Sequence, residues 1–546
     1  MNRGDHAHQP LQASRGVLSD VAPDVVSDVV SDVAAAVPSP AGDSSPRLRA
    51  LAAAAIVAAL ALCLGLARFG LQTFPVSGDE YSYRLQAEIF AAGKLALPAP
   101  AHPRLFEVDH VLLAPNVRSK YPPGWPALLT TGTLVGLPWI VNPLLAALTL
   151  AALFGATRRL YGSAAAVLAV VLLGFSPFLL FQGASFHSHP SELFALALAF
   201  YCLVRAQTPW RPGWAVGAGL AIGLAFLIRP LDGLVFAAAM IVWLRSQPRL
   251  VLVTGAAALL VAALLPVYQA LQFGSPLTSG YAAYNPVLRE IYGDWATHAA
   301  GPGYLLSPAA QWGHVRWFLD LATWLVPGTL VLSLYGLARR WRQLSAAPVH
   351  RFLLLLLGLQ VLVVLCMSGD QGDSYGPRYL VPALLPLAVG AAAGFARARL
   401  WLGPRGLLPG PRATAGLIAA LVACGLLRGG TLLEHHRADI QRRSGLYRQV
   451  AAAKLDNAVV IVKDQFPTRL TRNGPRFDGP VLYVSNWGLS DAAVADLFPG
   501  RTTYVGRSAS GGGADDQGGE EADWSLLPLD RAGAAASGRG DPVRPR

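Results

Sequence analysis

Long apolar runs separated by short polar hinges are the dominant pattern in this chain. Uncharged aliphatic residues dominate from about residue 50 to 70. They do so again near 139 to 157, 164 to 183, 191 to 205, 213 to 228, 231 to 246, 250 to 272, 317 to 338, 352 to 367, 379 to 396 and 413 to 430. A helix of about 20 such residues crosses about 30 Å of hydrocarbon, so the pattern predicts about 11 transmembrane helices. The shorter runs belong to longer tilted helices, or to pairs that do not both cross fully. Elsewhere the period changes. In "VSGDEYSYRLQAEIFAAGKL", residues 76 to 95, Tyr81, Leu85, Ile89 and Phe90 recur at helical spacing, while Arg84 and Glu88 stand four apart on another face. This predicts a helix lying on the membrane surface, started by Ser77 or Asp79 as N-cap. Beyond the last run, "LEHHRADIQRRSGLYRQVAAAKL" reads as an amphipathic helix. The strand-like runs "NAVVIVK", "PVLYVSN" and "TTYVGR" follow it, which predicts a small α/β unit.

The polar hinges orient this pattern. Arg158 and Arg159, Arg205 and Arg211, Arg245 and Arg249, Arg339 to Arg351, and Arg397 to Arg412 fall on alternate hinges, whereas "QGASFHSHPS" has no basic residue but histidine. The positive-inside rule then puts the arginine-bearing hinges and the N-terminus in the cytoplasm. The expected organisation is a disordered cytoplasmic arm (1–46), a transmembrane domain (47–430) with outer loops 71–138 and 273–316, a small extracytoplasmic α/β domain (431–506) and a disordered tail (507–546). The 546 residues are 53% hydrophobic and 14% charged, with a formal net charge of +12. That composition excludes a soluble enzyme. The arginines sit at the ends of apolar segments rather than on one interleaved face, so no nucleic-acid partner is expected. Cys63, Cys202, Cys366 and Cys424 all fall in apolar stretches and are expected as buried thiols outside any disulfide.

Candidate chemistry gathers in the first outer loop. Asp79 and Glu80 are adjacent, and "NVRSKYPPGWP" brings Arg118 and Lys120 ahead of a rigid Pro-Pro-Gly turn in the same loop. A carboxylate, cations and a rigid turn suit transfer of a sugar from a lipid phosphate. The acceptor hydroxyl needs a carboxylate to take its proton. The departing phosphate needs positive charge rather than a general acid. Adjacent helical residues point about 100° apart, so Asp79 and Glu80 cannot flank one anomeric centre; one is the base, and the other orients, caps or binds a metal. The plainer alternative is that Asp79 caps the helix and Glu80 meets its dipole. Elsewhere, Arg229 and Asp232 read as a local ion pair, and His435 and His436 as surface residues. His187 and His189 match no strong metal-ligand spacing. Asp370 and Asp373 are minor candidates for acceptor binding.

The order of "GDEYSY", "SKYPPGWP", "ATRRLYG", the "RPL" turn at Arg229 and "YGPRYLVPALLP" resembles the GT-C superfamily of membrane glycosyltransferases. The likeness is to bacterial relatives of protein O-mannosyltransferases and of the lipid A aminoarabinose transferase, and it spans about residues 48 to 430. The resemblance implies a polyprenyl-phosphate sugar donor, an acceptor lipid, glycan or protein, and inversion at the anomeric carbon on the outer face of the inner membrane. It implies Asp79 as base with Glu80 second. It also makes Lys120 and Arg378 candidate donor-phosphate ligands. Arg84 and Arg118 are further candidates for that role from the same outer face, and Tyr81, Tyr121, Tyr379 and Arg229 are expected to line the substrate site. No cofactor is assigned, and the acidic pair leaves a divalent metal ion open. Two alternatives stay open: a transporter or flippase of lipid-linked sugars, and a polysaccharide ligase or polymerase.

Overall fold

Proline sets the helix starts. It lacks the backbone donor that a first turn would leave unpaired and its φ is already helical. It is the first residue of the helices at Pro46, Pro177, Pro212, Pro230, Pro248, Pro308, Pro348 and Pro411. The computed structural model describes residues 45–207, 210–292, 308–338, 348–366, 375–402, 405, 410–464, 466–508 and 524–529. Asp370 and Asp373 lie outside them, as do most of the N-terminal arm and of the tail. In chain order the helices are α1 (Pro46–Gly65), α2 (Gly78–Ala91), α3 (Gly124–Leu134), α4 (Val141–Tyr161), α5 (Ser163–Gly174), α6 (Pro177–Ala184), α7 (His189–Gln207), α8 (Pro212–Ile228) and α9 (Pro230–Leu244). They continue with α10 (Pro248–Ala262), α11 (Leu264–Phe273), α12 (Gly280–Tyr292), α13 (Pro308–Trp324), α14 (Thr329–Ala338), α15 (Pro348–Leu365), α16 (Leu384–Leu402), α17 (Pro411–Ala452) and α18 (Asp491–Asp496).

Among the described residues, six helices are long and apolar enough to cross a membrane, or up to eight spans if each of two bent pairs counts as one. The helices α8 and α9 are shorter and apolar. This is a multi-pass membrane protein. Two expected single spans are broken. The run 164–183 bends by 61° between α5 and α6, where Ser176 caps Leu179 N–H ahead of Pro177. The run expected over 317–338 bends by 107° between α13 and α14, at the Pro327 turn. At the other extreme, the last span and the expected amphipathic helix are one continuous element, α17, of 42 residues. The cysteine expectation holds for Cys63 and Cys202, which are buried, and not for Cys366 and Cys424, which are exposed on outward faces of their helices.

Two small sheets build one end of the bundle. In the first outer loop, β1 (Leu97–Pro98), β2 (Val111–Leu112) and β3 (Asn116–Ser119) form an antiparallel sheet in the order β1-β3-β2. After α17, β4 (Ala458–Lys463), β5 (Val481–Val484), β6 (Thr502–Ser508) and β7 (Trp524–Pro528) assemble in the order β5-β4-β6-β7. β4 runs parallel to both neighbours, and β7 is antiparallel to β6. β7 comes from the stretch expected to be disordered. It is held because buried Trp524 packs with Leu446 and Val450 of α17 and donates its indole N–H to Arg442 O at 3.1 Å.

The α2 helix is sandwiched rather than laid on a membrane surface. Tyr81, Leu85 and Ile89 pack on Leu105, Phe106, Val459, Ile461 and Val484 of the loop and the C-terminal sheet. Tyr83 and Ala87 pack the other way, on Tyr121, Trp125 and Leu129. Apolar burial on two faces fixes the helix in depth and rotation, and that places its first turn.

Candidate active site

The first turn of α2 is built by a capping box. Ser77 Oγ accepts from Glu80 N–H at 3.2 Å, and Glu80 Oε2 accepts from Val76 N–H at 2.9 Å and Ser77 N–H at 3.1 Å. The S-x-x-E spacing that produces it is present in "SGDE". Glu80 Oε1 also accepts the N–H of Phe186, in the turn between α6 and α7, at 2.9 Å. Glu80 is 1% exposed. Its carboxylate is thus occupied by backbone donors and ties α2 to the bundle.

Asp79, one residue earlier, projects into a different environment. Its Oδ2 accepts from Arg378 Nη1 at 2.9 Å, its Oδ1 accepts from the Tyr121 hydroxyl, and His110 Nε2 lies 3.5 Å from Oδ1. Burial pushes the Asp79 carboxyl up, but nearby positive charge, that of Arg378 foremost, outweighs it and holds the group well below the usual carboxylate range. Burial and the nearby Lys120 push the His110 imidazole down to about 4, so it is neutral at physiological pH. Arg378 reaches this position through a sharp turn. Tyr375 and Gly376 both take positive φ, 61° and 88°, and a Cβ on residue 376 would run into the ring of Trp324.

Lys120 lies in an aromatic box. Its Nζ sits 5.1, 5.2 and 5.0 Å from the ring centroids of Tyr121, Tyr281 and Tyr284, the last two on α12. Only glycine at 280 lets α12 come this close, because a Cβ there would overlap the carbonyl of Lys120. Burial pushes the Lys120 ammonium down to about 8. Tyr379 links this region to a second polar centre, since its ring faces both Arg378 (5.5 Å) and Arg229 (5.1 Å). Arg229 forms the expected pair with Asp232 at 2.8 Å and adds Glu192 at 3.1 Å, both acids being buried at helix starts.

Asp79, Lys120, Tyr121 and Arg378 therefore meet, with Tyr379 and Arg229 adjoining. Other expected site residues lie elsewhere. Arg84 lies 4.0 Å from Glu88 and over the Phe186 ring. Arg118 is buried against Phe273. The Tyr81 hydroxyl turns toward Asn473. His110, Tyr281 and Tyr284 join the cluster without having been singled out. His110 had a signal, being a titratable residue in the loop of Asp79 and Lys120, whereas the tyrosines arrive from the second outer loop by tertiary packing alone. His436, expected at the surface, packs its ring on Tyr375 (4.8 Å) and Phe181 (5.4 Å). Among the described residues no group of three or more His, Cys, Asp or Glu side chains is arranged to hold a metal ion.

Residues 130–271 match the family model described as dolichyl-phosphate-mannose-protein mannosyltransferase. The apo structure of ArnT from Cupriavidus metallidurans is similar over 88% of this chain and 99% of its own, with 16% identity and a TM-score of 0.50. The chain shares the fold of that structure. ArnT from the same organism bound to undecaprenyl phosphate is similar over 87% of this chain and 97% of its own, at 16% identity and a TM-score of 0.45. The Archaeoglobus fulgidus oligosaccharyltransferase in complex with zinc and sulfate is similar over 83% and 68%, at 14% identity and a TM-score of 0.49. No curated protein sequence matches the chain.

Proposed function

We propose that the protein is an integral membrane glycosyltransferase that moves a sugar from a polyprenyl-phosphate donor to an acceptor hydroxyl, with Asp79 as general base. The observation that carries this reading is the meeting of one carboxylate, Asp79, with Arg378, Lys120 and Tyr121 at the sheet-bearing end of an apolar bundle. A lipid tail is served by the bundle, a phosphate by the two cations, and a hydroxyl proton by the carboxylate. The arginine pattern of the hinges supports placing this end on the outer face of the inner membrane, with the N-terminus in the cytoplasm.

In the reaction the acceptor oxygen forms a bond to the anomeric carbon while the bond from that carbon to the phosphate oxygen breaks. The phosphate keeps the electron pair, and the acceptor proton passes to Asp79. With its pKa depressed by Arg378, Asp79 is a weak base in the free enzyme, because a good general base has a pKa near the working pH. The same arginine can serve both roles: on donor binding its guanidinium turns to the phosphate, and the partly desolvated Asp79 becomes more basic when the acceptor is in place. Lys120 then leaves the faces of its tyrosines for the leaving phosphate. Glu80, saturated by backbone donors, is the helper that fixes the helix start.

The test is transfer from a radiolabelled polyprenyl-phosphate sugar in membranes carrying wild type or Asp79→Asn. A loss of at least about 100-fold is expected for removal of the base. Wild-type transfer by folded Asp79→Asn overturns the mechanism. The transporter alternative predicts movement of labelled lipid between leaflets without transfer, and the same membranes report it.

A further inference from the structure

We propose that Arg472, in the sheet unit that follows α17, is a positioning residue for Asp79, so that this unit holds the base in register with its cations. The inference rests on the reading of Asp79 as the base.

Arg472 is 9% exposed, yet among the described residues no carboxylate pairs with it. Its three guanidinium nitrogens donate only to backbone carbonyls: Nη1 to Pro75 O, Nη2 to Val76 O at 3.0 Å, and Nε to Arg469 O at 2.9 Å. The rings of Phe74 and Tyr81 cover it, with centroids 5.0 and 5.8 Å from Cζ. A buried cation held by carbonyls alone is costly to keep, and an apolar side chain of the same volume would fill the space more cheaply. What the arginine supplies is geometry, a planar fork on two successive carbonyls.

Those carbonyls immediately precede the N-cap of α2. The Val76 peptide is gripped from both sides, its N–H by Glu80 at 2.9 Å and its C=O by Arg472 at 3.0 Å. Arg443 of α17 adds a longer contact to the same carbonyl at 3.4 Å. The next residue of the sheet unit continues the grip beyond Asp79. Asn473 N–H donates to the Tyr81 hydroxyl at 3.0 Å, and that hydroxyl donates to Asn473 O at 2.5 Å. The side chain of Asn473 is in turn fixed on β5, through Tyr483 N–H and O at 2.9 and 2.8 Å. Consecutive residues 472 and 473 thus clamp α2 at positions 76 and 81, on either side of Asp79. The backbone that carries residue 79 cannot slide away from Arg378 without breaking one of these contacts.

The experiment measures kcat, donor KM and the pH profile of kcat/KM for full-length wild type, Arg472→Ala, Arg472→Lys, Tyr81→Phe and Asp79→Asn in proteoliposomes, all per folded molecule. Loosening the clamp by about 1 Å should lower kcat in Arg472→Ala about 10- to 100-fold while donor KM stays within about threefold. The acid limb of kcat/KM should move to higher pH as Asp79 loses its tight pairing with Arg378, and Arg472→Lys should recover part of both effects. Tyr81→Phe, which keeps the ring and removes both Asn473 bonds, should cost about 3- to 10-fold; it carries the test if Arg472→Ala does not accumulate in the membrane. Wild-type kcat per folded molecule in the Arg472 and Tyr81 variants, or a reduced kcat with an unmoved pH profile, overturns the positioning role. If those variants behave as wild type while Asp79→Asn is inactive, this inference alone fails. An active Asp79→Asn instead removes the base assignment beneath it.

Discussion

Replacing Arg378 by glutamine isolates the charge that sets the basicity of Asp79. The guanidinium nitrogen lies 2.9 Å from Oδ2, and the Asp79 side chain is 15% exposed. Placing the charge centres about 4 Å apart at an effective dielectric constant of about 20 gives about 4 kcal/mol, or about three pKa units. Residual solvent access reduces this, and pairing with arginine shifts an aspartate by about one to three units in practice. In wild type the carboxyl is depressed, so Asp79, the proposed base, is ionised across the working range and kcat/KM should stay flat down to about pH 5, near one unit above even an ordinary aspartate pKa of about 3.9. In Arg378→Gln the burial of Asp79 loses its largest opponent, and the carboxyl rises toward and beyond the ordinary value only as far as Lys120 and the histidines near it allow. The acid limb should then enter the window from about pH 5 to 7, with activity lost as pH falls through the raised pKa. The assay is initial transfer rate at subsaturating donor in proteoliposomes, from pH 4.5 to 8, with folding checked by thermal unfolding. A second component is separable: loss of a phosphate ligand lowers the rate at every pH, whereas loss of the aspartate's partner moves the limb. A variant whose profile is the wild-type curve scaled down, with no displacement of the limb, would refute the coupling between Arg378 and Asp79.

Lys120, pushed down to about 8, should give the opposite limb: kcat/KM falls as pH rises through about 8, because the free enzyme loses the ammonium that receives the phosphate. Profiles of kcat, measured with donor bound, should fall later, and Lys120→Arg should remove this limb altogether because arginine stays charged. Glu80→Gln should lower stability by about 1 to 3 kcal/mol through the weakened capping box and the Phe186 contact, read by thermal unfolding in detergent, with donor KM unchanged. An unchanged melting temperature there would mean that the carboxylate is not holding the start of α2.

The span pattern was legible because hydrocarbon thickness dictates run length, and the expected runs begin or end within a few residues of helices such as α1, α4 and α15. Breaks at Ser176-Pro177 and Pro327 were written in the same sequence, but an apolar run alone carries no information about a bend between its halves. The strands β4, β5 and β6 follow their β-branched runs, whereas β7 does not, because it exists only where Trp524 finds α17. The loop that carries the candidate site could be found by its charge in an uncharged setting. The role of Glu80 was within reach through its S-x-x-E spacing. Arg378 was reached by resemblance, and the tyrosine box around Lys120 depends on the placement of α12, which no local period encodes. Arg84 and Arg118, expected at the site from the same loop, instead turn their side chains to Phe186 and Phe273, a choice that tertiary packing makes and spacing does not.

The clamp on α2 also has a meaning in time. Asp79 meets Arg378 across 299 residues of chain, and Pro75 meets Arg472 across 397. At about 5 to 20 residues per second, the ribosome needs roughly 20 to 80 s to travel the longer interval. Throughout that period the reactive loop has emerged without its partner charge or its brace. On the reading proposed above, the nascent chain is a membrane anchor long before it is a catalyst, and competence arrives in one late step with the strands that follow α17. A polypeptide stalled anywhere before that point would sit in the bilayer with Asp79 not yet aligned with Arg378.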